Sequence, residues 1–360
     1  MDISKIDSNF VINASFDTSV LDIYDILEKP FQIHGLIPPK DKTEVFTRLP
    51  LSVAQTVSEK VAMLHAHTSG GRVRFKTNSS SVAIFAKMRG IGRMPHFAFT
   101  GSAGFDMYVN GKFFKTEFAP PTGGMGGYSA IKVIGNREEK SIEINFPLYS
   151  EVFELLIGLD TGATLSAPDS YRYDTPVVYY GSSITQGACA SRPGNIYQAV
   201  ISRRFNVDFW NFGFSGAARA EKAIVDYISD QKMKIFVMDY DHNAPNPDYL
   251  EKTHKPMFDA IRAKHPSLPI VLVTRPIFHV DRDTELCAAV VRKTYETALD
   301  DGDKNVYFVD GVKTMHLFGD DNDGPLVDAW HPNDFGFALM AKAIGDVIGE
   351  IINKFETEKK

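Results

Sequence analysis

The sequence has neither the many cysteines of disulfide-rich and zinc-ribbon proteins nor the long apolar run of membrane-spanning proteins. Two cysteines occur among 360 residues, Cys189 and Cys287, so neither a disulfide framework nor a cysteine-based metal site is predicted. No stretch approaches the ~18 uninterrupted apolar residues that a spanning helix needs. The formal net charge of -6 at pH 7 argues against nucleic acid or an anionic membrane as a partner. What remains is an ordinary globular composition, with 44% hydrophobic and 23% charged residues.

The N-terminal stretch MDISKIDSNFVINASF also lacks a basic segment followed by an apolar run, which is the pattern of a secretory signal. We therefore expect a cytoplasmic protein, unless a leader has been removed. The length exceeds the usual span of one domain, so two domains are predicted.

The hydrophobic pattern divides the chain into residues 1–165 and 170–360. The first half contains short alternating runs between Gly, Pro, Asn and Ser clusters, with no helix-period segment, which predicts an all-β jelly-roll or sandwich domain. The predicted strands lie at 71–78, 81–88, 96–101, 105–118, 141–148 and 152–160. A polar linker is expected at 161–176. In the second half five apolar strands alternate with helix-period segments, which predicts a doubly wound, parallel five-stranded α/β sheet.

Four polar segments of the second half stand out. Three follow predicted strands, and the fourth precedes the last predicted helix. They are GSSITQG (181–187), NFGFSG (211–216), DYDHN (239–243) and DAWHPN (328–333). Because the carboxyl ends of parallel strands share one edge of a sheet, we expect these segments to converge there.

Their residue types suit nucleophilic catalysis on an ester. A serine hydroxyl needs a base to take its proton, and His331 can serve Ser183 in that way. Asp328, three residues before the histidine, can orient the ring and stabilise the imidazolium. The backbone N–H groups of Ser183 and Gly216 and the side-chain amide of Asn243 can stabilise an oxyanion. At Gly216 the missing Cβ would let the backbone approach a substrate closely.

Each residue also has an ordinary interpretation. Ser183, Gly216 and Asn243 could be turn residues, and His331 could be an exposed histidine before a helix start. Trp330 could line the substrate pocket or merely pack.

Three further interpretations concern histidines and metals. His242 and His279 are candidate substrate contacts, with a surface or packing role as the alternative. His65 and His67 alternate as on a strand face, where a solvated face is favoured over a metal pair. No metal and no cofactor are predicted.

The four segments resemble the blocks of the SGNH (GDSL-type) hydrolases over roughly 177–352. The resemblance implies a flavodoxin-like fold, Ser183 as nucleophile, an oxyanion hole at Ser183, Gly216 and Asn243, and an Asp-x-x-His pair at Asp328 and His331. Two positions depart from the pattern: Ser182 replaces the usual Asp, and Asp241 replaces the usual Gly.

The GFDMY stretch (104–108) resembles the Gly-x-Asp-Leu-Tyr motif of a β domain that precedes some SGNH esterases, several of which are carbohydrate acetyl esterases, including acetyl xylan esterases. This implies a serine esterase acting on an acetylated oligosaccharide, such as xylan, or on another small ester. An O-acyltransferase, a short-chain esterase or thioesterase, and an inactive carbohydrate-binding protein are the alternatives. Whether the protein forms a homo-oligomer is left open by the sequence. Trp330, Pro332 and the acidic loop 319–323 predict a small, polar-rimmed site.

Overall fold

The computed structural model describes residues 16–41, 43–90, 93–114, 126–320 and 324–358. The first part of the chain, up to Ser166 and here called the β half, is built mainly from short strands. Their bounds are β1 Leu21–Asp25, β2 Gln32–His34, β3 Arg72–Thr77, β4 Ser81–Arg89, β5 Asp106–Val109, β6 Lys112–Phe113, β7 Gly127–Val133, β8 Lys140–Asn145, β9 Glu151–Asp160 and β10 Leu165–Ser166. The predicted strand at 105–118 extends beyond the described residues.

These strands form two antiparallel sheets that pack face to face. One sheet has the order β1-β9-β4-β7, and the other has the order β10-β3-β8-β5-β6, with β2 also paired to β3. The inward side chains of both sheets share one buried core, to which β3 contributes Val73 and Phe75 and β4 contributes Val82 and Ile84. The predicted β-sandwich is therefore confirmed.

The expectation that this half lacks helices is wrong. It contains α1 (Leu51–Val57), α2 (Glu59–Leu64) and α3 (Phe99–Ser102). Ala54 of α1 and Val61 of α2 belong to a core of the other half, so these helices owe their position to a surface outside the sandwich.

The predicted strand at 96–101 is wrong because this segment forms a turn that leads into α3. Its two phenylalanines enter different cores instead of pairing with a strand: Phe97 packs in a core formed mainly by the other half, and Phe99 packs against the core of the sandwich. Phe97 meets the Tyr149 ring edge-on at 5.3 Å, and a Cβ on Gly101 would lie 2.0 Å from the carbonyl oxygen of Ala190. The predicted linker at 161–176 likewise contains β10, which pairs with β3.

The second part, the α/β half, alternates strands and helices. The strands are β11 Val177–Gly181, β12 Phe209–Gly213, β13 Ile235–Asp239, β14 Ile270–Val273 and β15 Val306–Val309. The helices are α4 Ser183–Gln186, α5 Tyr197–Phe205, α6 Lys222–Ser229, α7 Pro247–Lys264, α8 Arg282–Asp300, α9 Gly311–Met315 and α10 Asp334–Glu358. The sheet is parallel with the order β12-β11-β13-β14-β15, as the doubly wound prediction requires.

Alternate residues of β11 enter two different cores. Val177 and Tyr179 pack with α5 and α10 on one face, and Val178 and Tyr180 pack with α6, α7 and α8 on the other. Both faces of the sheet are thus covered, which explains its continuous apolar strands. Among the helices described, none has an apolar stretch of the length that crossing a membrane requires.

A fully buried arginine, Arg48, joins the two halves. Its guanidinium donates to the carbonyl oxygens of Leu64 (2.9 Å) and His67 (2.6 Å) in the β half. It also donates to the carbonyl oxygens of Asn211 (3.0 Å) and Gly213 (2.5 Å) on β12. Burial lowers the pKa of Arg48 to about 9, which still leaves it charged at neutral pH. Four carbonyl dipoles therefore solvate one buried cation.

The GFDMY motif (104–108) forms a second connection. Asp106 is fully buried, and its carboxylate accepts hydrogen bonds from Arg192 Nη1 and from the Gly194 backbone N–H, both at 2.8 Å. The Tyr108 hydroxyl donates to the Gly194 carbonyl oxygen and accepts from Arg192. The motif is thus a structural clamp on the segment that precedes α5.

Replacing Arg48 by Met should lower the free energy of unfolding by at least ~3 kcal/mol, because several buried carbonyl groups lose their donor together. Urea unfolding of the full chain measures this. Arg89→Met is the matched control, since the Arg89 side chain is 64% exposed in its ion pair with Glu151. It should cost no more than about 1 kcal/mol. Equal losses for the two variants would contradict a role of Arg48 in joining the halves.

Buried His254 should make stability depend on pH. Burial lowers its pKa from 6.5 to about 3, and its Nδ1 lies 2.8 Å from the Thr294 hydroxyl. The unfolded chain binds a proton below pH 6.5 that the folded chain refuses, so stability should fall as the pH drops from 6.5 toward 3. His254→Gln should make this decline shallower in urea unfolding at several pH values. An unchanged slope in His254→Gln would refute the assignment.

Candidate active site

The first three sequence segments leave the sheet at one edge. Gly181, the last residue of β11, pairs with Gly213 at the end of β12 and with Asp239 at the end of β13. The loops that follow these strands therefore begin side by side, as the parallel topology predicted.

Ser183 is the first residue of the short helix α4. The Ser182 hydroxyl caps that helix by accepting the Ile184 N–H at 3.1 Å. An Asp caps a helix in the same way, so this departure from the family pattern preserves the local geometry. Gly213 allows α4 to lie against β12, because a Cβ there would be 2.2 Å from the Gln186 backbone nitrogen.

Ser183, His331 and Asp328 form one hydrogen-bonded chain. The Ser183 Oγ lies 3.0 Å from His331 Nε2, and His331 Nδ1 lies 2.9 Å from Asp328 Oδ2. A carboxylate on Nδ1 holds the proton there and leaves Nε2 free to accept from the serine. The structure thus brings together the three residues that sequence analysis selected as nucleophile, base and orienting acid.

The carboxylate is held by its own turn. The second oxygen of Asp328 accepts the backbone N–H groups of Trp330 and His331, both at 2.7 Å. Burial opposes ionisation, but the hydrogen bonds from His331 and Trp330 outweigh it and lower the pKa of Asp328 to about 2. Asp328 therefore stays ionised throughout the pH range in which esterases are assayed.

Three donors were predicted for the oxyanion hole: the backbone N–H groups of Ser183 and Gly216 and the Asn243 amide. Within the described part of the chain, no hydrogen bond uses the backbone N–H of Ser183 or of Gly216. Asn243 donates from Nδ2 to the Phe214 carbonyl oxygen at 2.9 Å, and an amide nitrogen has a second hydrogen to offer. This bond ties the Asn243 loop to the Gly216 loop. Gly216 has a φ of +64°, which explains a glycine there better than crowding does, since a Cβ would meet nothing within 4 Å.

The candidate substrate contacts have different positions. His242 packs edge-on against Trp330 with ring centroids 5.5 Å apart, and Trp330 is 43% exposed. Burial, with Arg275 and His331 nearby, lowers the pKa of His242 to about 3, so this ring is neutral. His279 is exposed and contacts Phe278, and within the described residues no ring contact or hydrogen bond joins it to His331.

Sequence analysis missed His96, which comes from the β half. Its exposed ring lies beside His331, with centroids 5.5 Å apart. The buried Cys189 lies next to both histidines, so that His96, Cys189 and His331 form one cluster. The incorrect strand prediction for 96–101 concealed His96, and no local pattern marks its place in the fold.

Other residues of the β half hold the serine loop in place. The Tyr149 hydroxyl donates to the Ser183 carbonyl oxygen at 3.2 Å, and the Ser69 hydroxyl donates to the Gln186 carbonyl oxygen at 2.5 Å. The Gln186 amide donates to His67 Nδ1 at 3.2 Å. His65 ends α2, so the predicted solvated strand face of His65 and His67 is wrong.

The second departure from the family pattern, Asp241, forms a buried ion pair. Its carboxylate accepts from Arg275 Nε at 3.3 Å and from the Arg275 backbone N–H at 3.1 Å. Burial raises the pKa of Asp241, while Arg275 opposes the rise. The pair connects the loops after β13 and β14, and Asn243 lies two residues after Asp241 in the first of these loops. Of the predicted acidic loop 319–323, residues 321–323 lie outside the described residues.

Two family models match the chain. Residues 174–349 match the GDSL-like lipase/acylhydrolase family, and residues 21–165 match the N-terminus of SGNH-hydrolase-type esterases, called GxDLY. The chain therefore belongs to the SGNH (GDSL-type) hydrolases, with a GxDLY β half before the hydrolase half. No curated protein matches it.

Solved structures share the fold over nearly the whole chain. A protein of Bacteroides ovatus ATCC 8483 described as a GDSL-like lipase is 26% identical with a TM-score of 0.80, covering 92% of this chain and 98% of its own. The salicylyl-acyltransferase SsfX3 of a tetracycline biosynthetic pathway is 20% identical, with a TM-score of 0.73 and coverage of 91% and 96%. An acetyl xylan esterase (Est2A) of the rumen bacterium Butyrivibrio proteoclasticus is 13% identical, with a TM-score of 0.59 and coverage of 93% and 99%.

Proposed function

We propose that this protein is a serine esterase that removes acetyl groups from O-acetylated carbohydrates. The observation that carries the proposal is the hydrogen-bonded chain from Ser183 Oγ through His331 to Asp328, in which no described hydrogen bond uses the Ser183 backbone N–H. The carbohydrate class is supported by the shared fold of the acetyl xylan esterase and of family two carbohydrate esterases.

In the proposed acylation step, Ser183 Oγ attacks the ester carbonyl carbon while His331 Nε2 takes the hydroxyl proton. The oxyanion that forms accepts hydrogen bonds from the N–H groups of Ser183 and Gly216 and from the Asn243 amide. One such donor contributes about 3–4 kcal/mol to transition-state stabilisation. The imidazolium, stabilised by Asp328, then protonates the sugar oxygen as its bond to the acyl carbon breaks, which releases the sugar alcohol and leaves acetyl-Ser183.

Deacylation repeats the same steps with water. His331 takes a proton from water as the water oxygen attacks the acyl carbon, and the second tetrahedral intermediate collapses to acetate and free Ser183.

An alcohol in place of this water would make the protein an acyltransferase. That is the second candidate function, supported by the fold shared with salicylyl-acyltransferase SsfX3. Analysis of products formed with an added sugar acceptor distinguishes the two.

Ser183→Ala should lower kcat for p-nitrophenyl acetate by roughly 10³-fold or more, because the nucleophile is lost. His331→Ala should be nearly as damaging, and the double variant should add little because the two residues act as a unit. Ser52→Ala, at an exposed position on α1, is the matched control and should keep wild-type turnover. A Ser183→Ala protein that retains several per cent of kcat would rule out this nucleophile. A wild-type protein without any turnover would favour an inactive carbohydrate-binding protein.

The acyl group accepted should be small. The His96 ring contacts His331, and the His242 ring, whose pKa His331 affects, packs on Trp330. A rim of such rings offers a long acyl chain little aliphatic surface. We expect kcat/KM to fall by roughly tenfold or more from acetyl to butyryl p-nitrophenyl esters and to be negligible for octanoyl. A series that peaks at about six carbons or longer would favour a lipase-like or thioesterase role.

A further inference from the structure

Three side chains with metal-binding atoms meet at His331, and each comes from a different part of the fold. His96 comes from the β half, Cys189 from the loop after α4, and His331 from the turn before α10. One nitrogen or sulfur atom of each lies within 4.8 Å of those of the other two. The Cys189 backbone N–H donates to the Pro332 carbonyl oxygen at 3.0 Å, which fixes the cysteine loop beside the histidine turn.

We propose that His96, Cys189 and His331 form an inhibitory site for a soft divalent cation of the zinc class. The inference rests on the proposed function, because it assigns His331 as the catalytic base. Imidazole nitrogens and cysteine thiolates are the ligand types that zinc prefers, with Zn–N distances of about 2.0–2.1 Å and Zn–S distances of about 2.3 Å. Ligand atoms of a tetrahedral site then lie roughly 3.5 Å apart. The three ligand atoms must therefore move closer together than the 4.8 Å limit within which they now lie. The exposed His96 side chain can make this movement.

A metal ion bound at this site must break the hydrogen bonds that link Ser183, His331 and Asp328. Both ring nitrogens of His331 are engaged, Nε2 with Ser183 at 3.0 Å and Nδ1 with Asp328 at 2.9 Å. Whichever nitrogen binds the metal gives up its partner, so the ring can no longer both accept the serine proton and be held by the aspartate. The metal is therefore an inhibitor and has no part in the ester reaction.

The binding step balances without a redox change. The Cys189 thiol releases its proton to solvent as the sulfur–metal bond forms, and the two imidazoles bind through neutral nitrogen lone pairs. A water molecule completes the tetrahedron. The Asp328 carboxylate, which lies beside His331, offsets the charge of the cation.

Zinc binding can be measured apart from catalysis in the Ser183→Ala protein, by competition with a chromophoric zinc chelator. We expect 1:1 binding in that protein. In the same background, His96→Gln and Cys189→Ser should weaken it by roughly tenfold or more, since even the loss of a group that supports a ligand costs that much. Cys287→Ser is the matched control for a buried cysteine elsewhere and should bind like the parent.

The activity arm uses p-nitrophenyl acetate with the wild-type serine. Zinc should inhibit the wild type, EDTA should restore the rate, and His96→Gln and Cys189→Ser should each need roughly tenfold more zinc for the same inhibition. His96 is exposed, so its variant tests the site even if Cys189→Ser folds poorly. Equal zinc inhibition in all three proteins, or no zinc binding by Ser183→Ala, would overturn the site. If the wild type hydrolyses no ester, the proposed esterase function fails, and the chelator competition still decides the metal site.

Discussion

The site depends on the solvation of one buried cation. Arg48 enters the boundary between the halves without a carboxylate partner among the described residues, and carbonyl dipoles that include those of Asn211 and Gly213 balance its charge. The Asn211 amide in turn donates to the Thr185 carbonyl oxygen in α4, at 2.7 Å. Arg48, a residue of the β half, is thereby connected through β12 to α4, the helix that begins with Ser183. Ser183 is therefore positioned by contacts from both halves of the chain.

Much of the α/β half could be predicted from the sequence because its signals are local. Each strand is a short apolar run, each helix has an apolar face, and the parallel topology requires the polar segments after the strands to meet at one edge. Ser183 and His331 could therefore be paired across 148 positions of sequence. The loops also tolerated unusual residues, because a serine caps a helix as an aspartate does and because Asp241 found Arg275 as its partner.

The β half was less predictable because its departures from strand structure depend on distant contacts. α1 and α2 complete a core that belongs to the other half, and Phe97 packs on Tyr149 although its segment alternates like a strand. Neither contact leaves a pattern in a window of neighbouring residues. His96 was missed for the same reason, since a histidine reveals a place beside His331 only when the whole chain is folded.

The clamp at Asp106 has a consequence for how such proteins can be recombined. The carboxylate is buried and accepts from Arg192 and from the Gly194 N–H, so part of its hydrogen-bond complement is supplied from beyond the polar segment 161–176. A chimera joined within that segment would unite a carboxylate and an arginine of different origins, and any mismatch would leave a charge buried without its partner. The unit that can be exchanged intact is therefore set by partners in space: a transplanted β half needs the 191–195 loop that receives it.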